Sequence, residues 1–223
     1  MIFTASRYTF TVSAMRETAA AESRPYHHGD LSRALIDAAR RLLESEGPSA
    51  LSLRAVAREA GVSPAAPYHH FKDKGELLEA VAAEGWDMLN DSLSAARKSA
   101  SSVKDKLTAL GVAYVVFARE NPSLYRIMYD GSRNKEGLPS HVHLEDDSAY
   151  CQVRDTLVEA GADPTDEIAL ELATTAAWCA AHGLAEMASF KQFDTLKIAL
   201  GSEEAFLRGV FDHMRIFADD HGK

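Results

Sequence analysis

The sequence lacks the features that would define several large classes of proteins. It holds only two cysteines, too few for a disulfide framework and compatible with a reducing cytoplasm, where we expect the protein to work. No run of 18 apolar residues occurs, and the first residues are only mildly apolar, so we expect neither a transmembrane helix nor a signal peptide. Because a Gly-rich phosphate loop, a nucleophile elbow and an HExxH pattern are also missing, we expect no enzyme, no cofactor and no membrane partner.

The composition is that of a folded globular protein whose charge is unevenly distributed. Of the 223 residues, 46% are hydrophobic and 26% are charged, which supports a real core. The net charge is −9, yet residues 1–75 carry 10 lysines and arginines against 8 aspartates and glutamates, while the remainder carries 14 against 25. An acidic body repels DNA, so a DNA contact would have to lie in the first third of the chain.

Apolar residues recur every three or four positions from Gly29 onward, which predicts an all-α protein with no strand. Capping residues and breakers divide the pattern into segments. We expect helices over about 30–46, 52–60, 63–71, 73–97, 102–120, 122–129, 144–160, 164–188 and 202–218. Residues 1–24 show no sustained period, so we predict a flexible tail at 1–24, a small domain at 25–75 and a larger helical domain at 76–223.

The stretch Ser52–Phe71 has the form of a helix-turn-helix. A helix of about two turns ends at Gly61, which can supply the left-handed backbone of a steep turn, and a second helix capped by Ser63 follows. This second helix begins with small side chains and ends with Tyr68, His69 and His70, which can hydrogen-bond phosphates or base edges. Lys72 and Lys74 come next, where cations can meet the phosphate backbone. Packing of Tyr68 and Phe71 in an ordinary helical hairpin is the alternative interpretation.

Pro67 is unfavourable at its position in this second helix. It lies one turn into the segment and removes the N–H that would bond to the Ser63 carbonyl. We expect the helix to persist because it is short and held by packing.

These residues also resemble a known family. GDLSRALIDAARRLLESEGPSALSLRAVAREAGVSPAAPYHHFKDKGELLEAV is similar, over about 50 residues, to the N-terminal domain of TetR/AcrR-type transcription regulators. Pro64–Tyr68 stands where many members have Lys-Gly-Thr-Leu-Tyr, so one phosphate-contacting lysine is absent. The resemblance implies a homodimer that binds a double-stranded, palindromic DNA operator. The candidate DNA contacts are Tyr26, Ser52, Arg54, Ser63, Ala65, Ala66, Tyr68, His69, His70, Lys72 and Lys74.

The C-terminal part resembles the regulatory domain named for its Trp-His-Gly element, through ARENPSLYRIMYD and WCAAHGLAEM. Trp178 and His182 are four residues apart and therefore share a helix face. They either pack in the core or an interface, or contact a small-molecule effector; both interpretations stay open. The candidate effector-binding residues are Tyr114, Phe117, Tyr125, Met128, Tyr150, Cys151, Trp178 and His182. In the resembled family the last two helices pair with those of a second copy, so we expect Phe206, Val210 and Met214 near a dimer core.

The sequence therefore predicts a ligand-responsive transcription regulator, most simply a repressor. A ligand-independent DNA-binding protein and a helical enzyme that carries a helix-turn-helix are the alternatives. Two weaker patterns are a metal site at His141 and His143 with the acidic residues 145–147, and a redox pair of Cys151 with Cys179. Neither is expected, because histidines in a polar loop are more often solvated and nothing indicates that the cysteines approach each other.

Overall fold

The computed structural model describes residues 28–130 and 148–214, and these ranges consist of helices joined by turns, without a strand. The all-α prediction is confirmed. The first part contains α1 (His28–Glu46), α2 (Leu53–Glu59), a 3₁₀ segment (Ala66–His69) and α3 (Lys74–Ser99). The second part contains α4 (Val103–Glu120), α5 (Pro122–Asp130), α6 (Ala149–Glu159), α7 (Glu167–Met187), α8 (Asp194–Leu200) and α9 (Glu203–His213).

Most helix starts lie where the capping residues predicted them. The side-chain oxygens of Ser52, Asp73, Ser102 and Ser202 each accept the backbone N–H three residues further on, at 3.0–3.1 Å. Such a bond satisfies one of the N–H groups that the first turn of a helix leaves without a partner. These boundaries are therefore set locally, by one side chain each.

Two elements differ from the prediction. α7 begins at Glu167 rather than Pro164, because the Asp163 carboxylate accepts the Thr165 N–H at 2.8 Å in a tight turn, and Asp166 then caps the helix through the Ala169 N–H. α8 is a helix that the sequence did not predict. Its apolar side chains Leu196, Ile198 and Leu200 remain exposed, so it lacks the buried stripe on which periodicity depends.

α3 connects the two parts of the molecule. It packs against α1 and also against α4, α5 and α6, and α5 contacts α1 as well. Since α3 runs without a break across position 75, the predicted division into domains at that position stays a prediction.

Glycines permit two close helix contacts in the core. A Cβ placed on Gly111 of α4 would lie 2.6 Å from the ring of Phe211 on α9, and a Cβ on Gly85 of α3 would lie 2.8 Å from the sulfur of Met128 on α5. Both distances are below van der Waals contact. The positions of α9 and α5 therefore depend on these glycines.

α7 is the most apolar helix in the described residues. By length and composition it could cross a membrane, although no other described helix could. One face packs against α4 and α6, while Ile168 and Leu172 on the other side are 76% and 67% exposed. By contrast, Phe206 of α9 is 2% exposed. This side chain therefore packs within its own protomer, and its predicted place near a dimer core stays a prediction.

Candidate DNA interface and sensor cluster

The corner of the helix-turn-helix is held by backbone bonds and a few buried side chains. α2 buries Leu53 and Val56, and Gly61 adopts a left-handed conformation with φ +69°. The N–H of Val62 then donates to the Ala57 carbonyl at 2.9 Å, which closes the end of α2. The next segment therefore leaves α2 at a fixed angle.

That next segment is a 3₁₀ turn, and the predicted α-helix capped by Ser63 is wrong. Its bonds span three residues: Ala66 N–H to Ser63 O at 3.0 Å, and Tyr68 N–H to Ala65 O at 3.2 Å. The Ser63 hydroxyl caps nothing. Pro67 accounts for the difference, since it has no N–H to make the longer-range bond to the Ser63 carbonyl.

The side chains of this segment separate into an anchoring set and an exposed set. Pro67 and Phe71 are buried and hold the segment to the rest of the domain. Tyr68 is 54% exposed. The other predicted contacts that are exposed are Ser52, Arg54, Ser63, Ala65, His69, Lys72 and Lys74, with Ala66 and His70 half-buried. The turn therefore presents small groups, a phenol and an imidazole on one surface.

Three of the predicted DNA contacts have partners or surroundings within the protein. The Ser52 hydroxyl caps α2, and the Lys74 ammonium donates to the Pro48 carbonyl at 3.1 Å. Nε2 of His70 is buried without a hydrogen-bond partner in the described part of the chain, so this atom does not face solvent. Tyr26 lies outside the described residues.

The larger part of the molecule contains a cluster of polar aromatic side chains, which we call the sensor cluster: Trp86, Tyr114, Tyr125, Tyr129, Trp178 and His182. Tyr114 and Tyr125 are buried, and the other four are half-buried. Four helices contribute to it, α3, α4, α5 and α7. Its centre is the hydroxyl of Tyr114, which lies 2.5 Å from the Tyr129 hydroxyl, 3.3 Å from the Tyr125 hydroxyl and 3.1 Å from Nδ1 of His182.

Two hydroxyl groups of the cluster face the same nitrogen of the His182 imidazole. Nδ1 of His182 is also 2.6 Å from the Tyr125 hydroxyl, so two phenols converge on this nitrogen. In the tautomer that carries its proton on Nε2, the single lone pair of Nδ1 accepts from these phenols, and the shorter distance makes Tyr125 its principal donor.

Ring contacts hold the same side chains together. The Tyr129 and His182 rings lie 4.6 Å apart and the Tyr114 and Trp178 rings 5.2 Å apart, both edge to face. Trp86 meets the Tyr129 ring at 5.3 Å, while its Nε1 is buried without a hydrogen-bond partner among the described residues. An unpaired buried donor is costly, so a group that accepted a hydrogen bond from Trp86 would stabilise this arrangement.

Burial keeps the phenols of the cluster protonated. Loss of solvent raises the pKa of Tyr129 to about 12, and it raises the pKa values of Tyr114 and Tyr125 well above the ordinary value for tyrosine. At neutral pH the cluster therefore contains hydroxyl donors and no phenolate.

The free space beside the cluster is small and apolar. A cavity of about 20 Å³ is bordered by Tyr114, Trp178 and Phe211. This volume accommodates about one water molecule, so a larger molecule could enter only if side chains moved.

The structure brings together most of the predicted effector-binding residues, but not all. Tyr150 lies at the edge, with its ring 5.7 Å from Trp178 and its hydroxyl bonded to Glu171 and Thr175; burial followed by the Glu171 bond raises the pKa of Tyr150 to about 12. Phe117 and Met128 are buried in the core, and among the described residues no ring contact joins Phe117 to the cluster. Cys151 is half-buried on α6, and both it and Cys179 are free thiols.

Two members of the cluster, Tyr129 and Trp86, are not among the residues predicted from the sequence. Tyr129 lies one helical turn after Tyr125, so the i, i+4 spacing could have identified it. Trp86 resembled any other apolar residue of α3, and only the fold brings it to Tyr129. The predicted metal ligands at 141–147 lie outside the described residues, and the described ranges contain no cluster of possible metal ligands.

Comparisons with known proteins agree with this architecture. A family model described as "Bacterial regulatory proteins, tetR family" matches residues 35–81, and "Tetracyclin repressor-like, C-terminal domain" matches residues 107–212. The second model does not test the resemblance to the Trp-His-Gly type, which stays a prediction. The HTH-type transcriptional regulator BetI of Rhizobium meliloti (strain 1021) is 38% identical over 78 residues, which are 35% of this chain and only 38% of that regulator.

Two solved structures are similar over most of the chain. A protein with unknown function from Rhodococcus sp. RHA1 is 31% identical, with a TM-score of 0.70 over 87% of this chain and 97% of that one. The TetR family transcriptional regulator PfmR from Thermus thermophilus is 23% identical, with a TM-score of 0.55 over 82% and 96%, and supports the fold. Together with the matched models and the helix-turn-helix, these similarities show that the chain belongs to the TetR family of DNA-binding transcription regulators.

Proposed function

We propose that the protein is a one-component repressor that binds a palindromic operator as a homodimer in the cytoplasm and is released by a small-molecule effector. The turn Ser63–Phe71 faces the major groove, with Ala65 and Ala66 close to the bases. Tyr68 and the lysines at 72 and 74 contact phosphates, which position the domain and supply most of the salt-dependent affinity.

The sensor cluster is the observation that carries the proposal of an effector. A domain that served only to hold two copies together would need an apolar core, but this one brings two buried phenols, a half-buried phenol and a half-buried imidazole to a junction of four helices. Buried polar groups of this kind are a common feature of small-molecule sites. One contributing helix, α5, also packs against α1 of the DNA-binding part, so a change in the cluster has a direct route to the helix-turn-helix.

The chemistry of the cluster indicates a flat, lipophilic and uncharged effector with one or two polar atoms. Its ring faces favour an aromatic or polycyclic shape, and the buried Trp86 N–H calls for a hydrogen-bond acceptor. An anion would meet neutral phenols and, at the edge of the cluster, the exposed carboxylate of Glu171. The cavity beside the cluster is about 20 Å³, so the effector displaces side chains when it enters.

Release from DNA then follows from a shift between two conformations of the dimer. One conformation keeps the cluster closed and the recognition turns spaced for successive major grooves. The other opens the cluster and changes their spacing. The effector shifts this equilibrium only if it binds the open conformation more tightly than the closed one.

The experiment begins with selection of bound fragments from genomic DNA, which identifies the operator. Operator release, measured by fluorescence anisotropy, is then screened against neutral aromatic compounds. His182→Ala is tested with each active compound, together with its melting temperature. We expect this variant to bind the operator like the wild type but to need at least about tenfold more compound for release, because it loses a polar contact.

Tyr68→Ala serves as the opposite control, since it should lose operator affinity and keep the melting temperature of the wild type. If His182→Ala lowers the melting temperature but responds to the compound like the wild type, the cluster is packing and not an effector site. If no compound releases the operator and none raises the melting temperature, the ligand-independent DNA-binding alternative is favoured.

A further inference from the structure

The recognition turn, Ser63–Phe71, has no side chain that can form paired hydrogen bonds to one purine. None of its nine residues is arginine, lysine, asparagine or glutamine. In the major groove, those four types form the paired bonds that distinguish guanine or adenine from the other bases. The side chains that the turn exposes are Ser63, Pro64, Ala65, Tyr68 and His69. The turn must therefore recognise its operator in another way.

The first exposed part of the turn is mainly apolar. Pro64 and Ala65 are adjacent and exposed, whereas Pro67 and Phe71 are buried and hold the segment to the domain. A proline ring and a methyl group offer no hydrogen bond, so they gain from contact with another apolar group. The 5-methyl group of thymine is such a group on a base edge in the major groove, and alanine is one of the residues that contact it. An apolar edge that enters the groove therefore matches thymine.

The backbone places Ala65 on the same side of the turn as Tyr68. The Tyr68 N–H donates to the Ala65 carbonyl at 3.2 Å, and Ala65 itself has a helical backbone with φ −86° and ψ −22°. Side chains three residues apart eclipse in a 3₁₀ turn, so these two share a face and lie about 6 Å apart along its axis. With the Tyr68 phenol on a phosphate, the Ala65 methyl group faces the adjacent base edges.

Two prolines keep this face in place before DNA binds. Pro64 and Pro67 each have a fixed φ, which removes conformational freedom from the turn. The Phe71 N–H donates to the Pro67 carbonyl at 2.8 Å and closes the turn at its buried end. A surface that is ordered in advance loses less entropy on binding, so a single methyl contact can contribute measurably to affinity.

The polar side chains of the turn are less able to select one base. A single N–H of the exposed His69 imidazole can bond N7 of a purine, but N7 is an acceptor in both guanine and adenine. The Ser63 hydroxyl can donate to or accept from several base edges, so it does not distinguish them either. A methyl contact, by contrast, separates thymine from the three other bases.

We propose that Ala65, with the ring of Pro64 beside it, reads the 5-methyl group of one thymine in each operator half-site. This inference rests on the proposed function, because it assumes that the turn enters the major groove of an operator. It adds which base the turn selects and through which atom. Replacing that T·A pair by C·G removes the methyl group and lowers affinity, even though the phosphate contacts of Tyr68 and Lys72 persist.

The test removes the methyl group alone. Each thymine of the selected operator is replaced in turn by deoxyuridine, which lacks only the 5-methyl group, and the affinity of the intact protein is measured by fluorescence anisotropy at one salt concentration. We expect one position per half-site at which this change weakens binding roughly fourfold, the effect of one buried apolar carbon. Changing both half-sites should weaken binding roughly 15-fold.

Ala65→Gly identifies the partner of that methyl group. This variant should bind the thymine and deoxyuridine operators equally, because it lacks the Cβ that contacts the methyl group. Ala60→Gly, the same change at the end of α2, should keep the preference for thymine. Each variant is compared only with itself on two operators, so a general loss of stability cancels. For the wild type, 5-methylcytosine at that position should bind roughly fourfold better than cytosine, since it restores the methyl group.

Three results overturn the inference. One is an operator in which no deoxyuridine substitution weakens binding. Another is an Ala65→Gly variant that keeps the preference for thymine. The third is a loss of affinity only with 7-deazaguanine or 7-deazaadenine, which lack N7 and would assign the reading to a hydrogen bond, as from His69. These three leave the proposed function standing, whereas a protein that selects no DNA fragment rejects the proposed function and this inference with it.

Discussion

The recognition turn and the sensor cluster use the same kinds of side chain in opposite ways. In the turn Ser63–Phe71, a tyrosine and a histidine are exposed and only Pro67 and Phe71 anchor the segment. In the cluster, two tyrosines are buried, a third tyrosine and a histidine are half-buried, and their polar atoms are bonded to one another. The residue type therefore says little about role. What differs is whether the hydrogen-bonding groups of the side chain are satisfied within the protein or left for a partner.

The largest expected effect contrasts one tyrosine from each region. Tyr114 is 2% exposed and bonded to three partners, so Tyr114→Ala should lower the free energy of unfolding by about 3–5 kcal/mol. Tyr68→Ala removes an exposed ring and should change the free energy of unfolding by less than about 0.5 kcal/mol. Urea unfolding followed by circular dichroism measures both. Similar losses of unfolding free energy in the two variants would contradict this difference between the cluster and the recognition turn.

The second largest effect should be a loss of stability at alkaline pH that comes from the phenols of the cluster. The pKa of Tyr129 is raised to about 12, whereas an unfolded tyrosine titrates near 10. Between these pH values the native state holds a proton that the unfolded state has lost. Stability should therefore be level below pH 10 and fall above it, by about 1.4 kcal/mol per pH unit for each protected phenol.

Urea unfolding at several pH values from 8 to 12 measures this slope. The variant Tyr129→Phe removes one protected phenol and should show a shallower decline. A slope that is the same in wild type and variant would mean that Tyr129 ionises in the folded protein as it does in the unfolded chain.

A cation lost from the recognition region should change DNA binding without changing the fold. Lys72→Ala and Lys74→Ala should each reduce the slope of log affinity against log salt concentration by about 0.9, for operator and random DNA alike. Because the Lys74 ammonium also bonds the Pro48 carbonyl, only Lys74→Ala should lower the melting temperature slightly. Lys191→Ala, on the far part of the molecule, provides the control. A changed site preference in either variant would place that lysine at a base.

The smallest effect concerns a single hydrogen bond of the cluster. Tyr125→Phe keeps the ring but removes the hydroxyl that lies 2.6 Å from Nδ1 of His182, and it should cost about 1 kcal/mol. Thermal unfolding of this variant beside His182→Ala and the double variant measures the coupling. If the two single effects simply add, the bond contributes nothing to stability.

Local interactions could be predicted from the sequence and distant ones could not. The starts of α2, α3, α4 and α9 each depend on one capping side chain within three residues, so the sequence predicts them. The predicted α-helix at 63–71 is instead a 3₁₀ turn, because Pro67 lacks the N–H that an α-helix would bond to the Ser63 carbonyl. α8 was missed since its apolar residues are exposed and leave no buried stripe.

The sensor cluster shows the same limit. The eight effector-binding residues predicted from the sequence include Tyr114, Tyr125, Trp178 and His182, and the fold places these four together. The sequence could not predict that Trp86 reaches Tyr129, because 43 residues separate them and only the packing of α3 on α5 creates the contact. Effector binding by these residues is the proposal that the operator-release assay tests.

Helix α9 separates the small cavity beside the sensor cluster from an open apolar groove of about 430 Å³ between α7 and α9. Phe211, pressed against Gly111, closes the small cavity beside the sensor cluster, while Val210 and Met214 on the same helix line the open groove. A molecule that displaced the Phe211 ring from Gly111 would therefore also move Val210 and Met214, because they belong to the same helix. A methyl group added at position 111 would have the same effect as a molecule bound in the cavity: it would displace Phe211 and, through α9, the residues that line the groove.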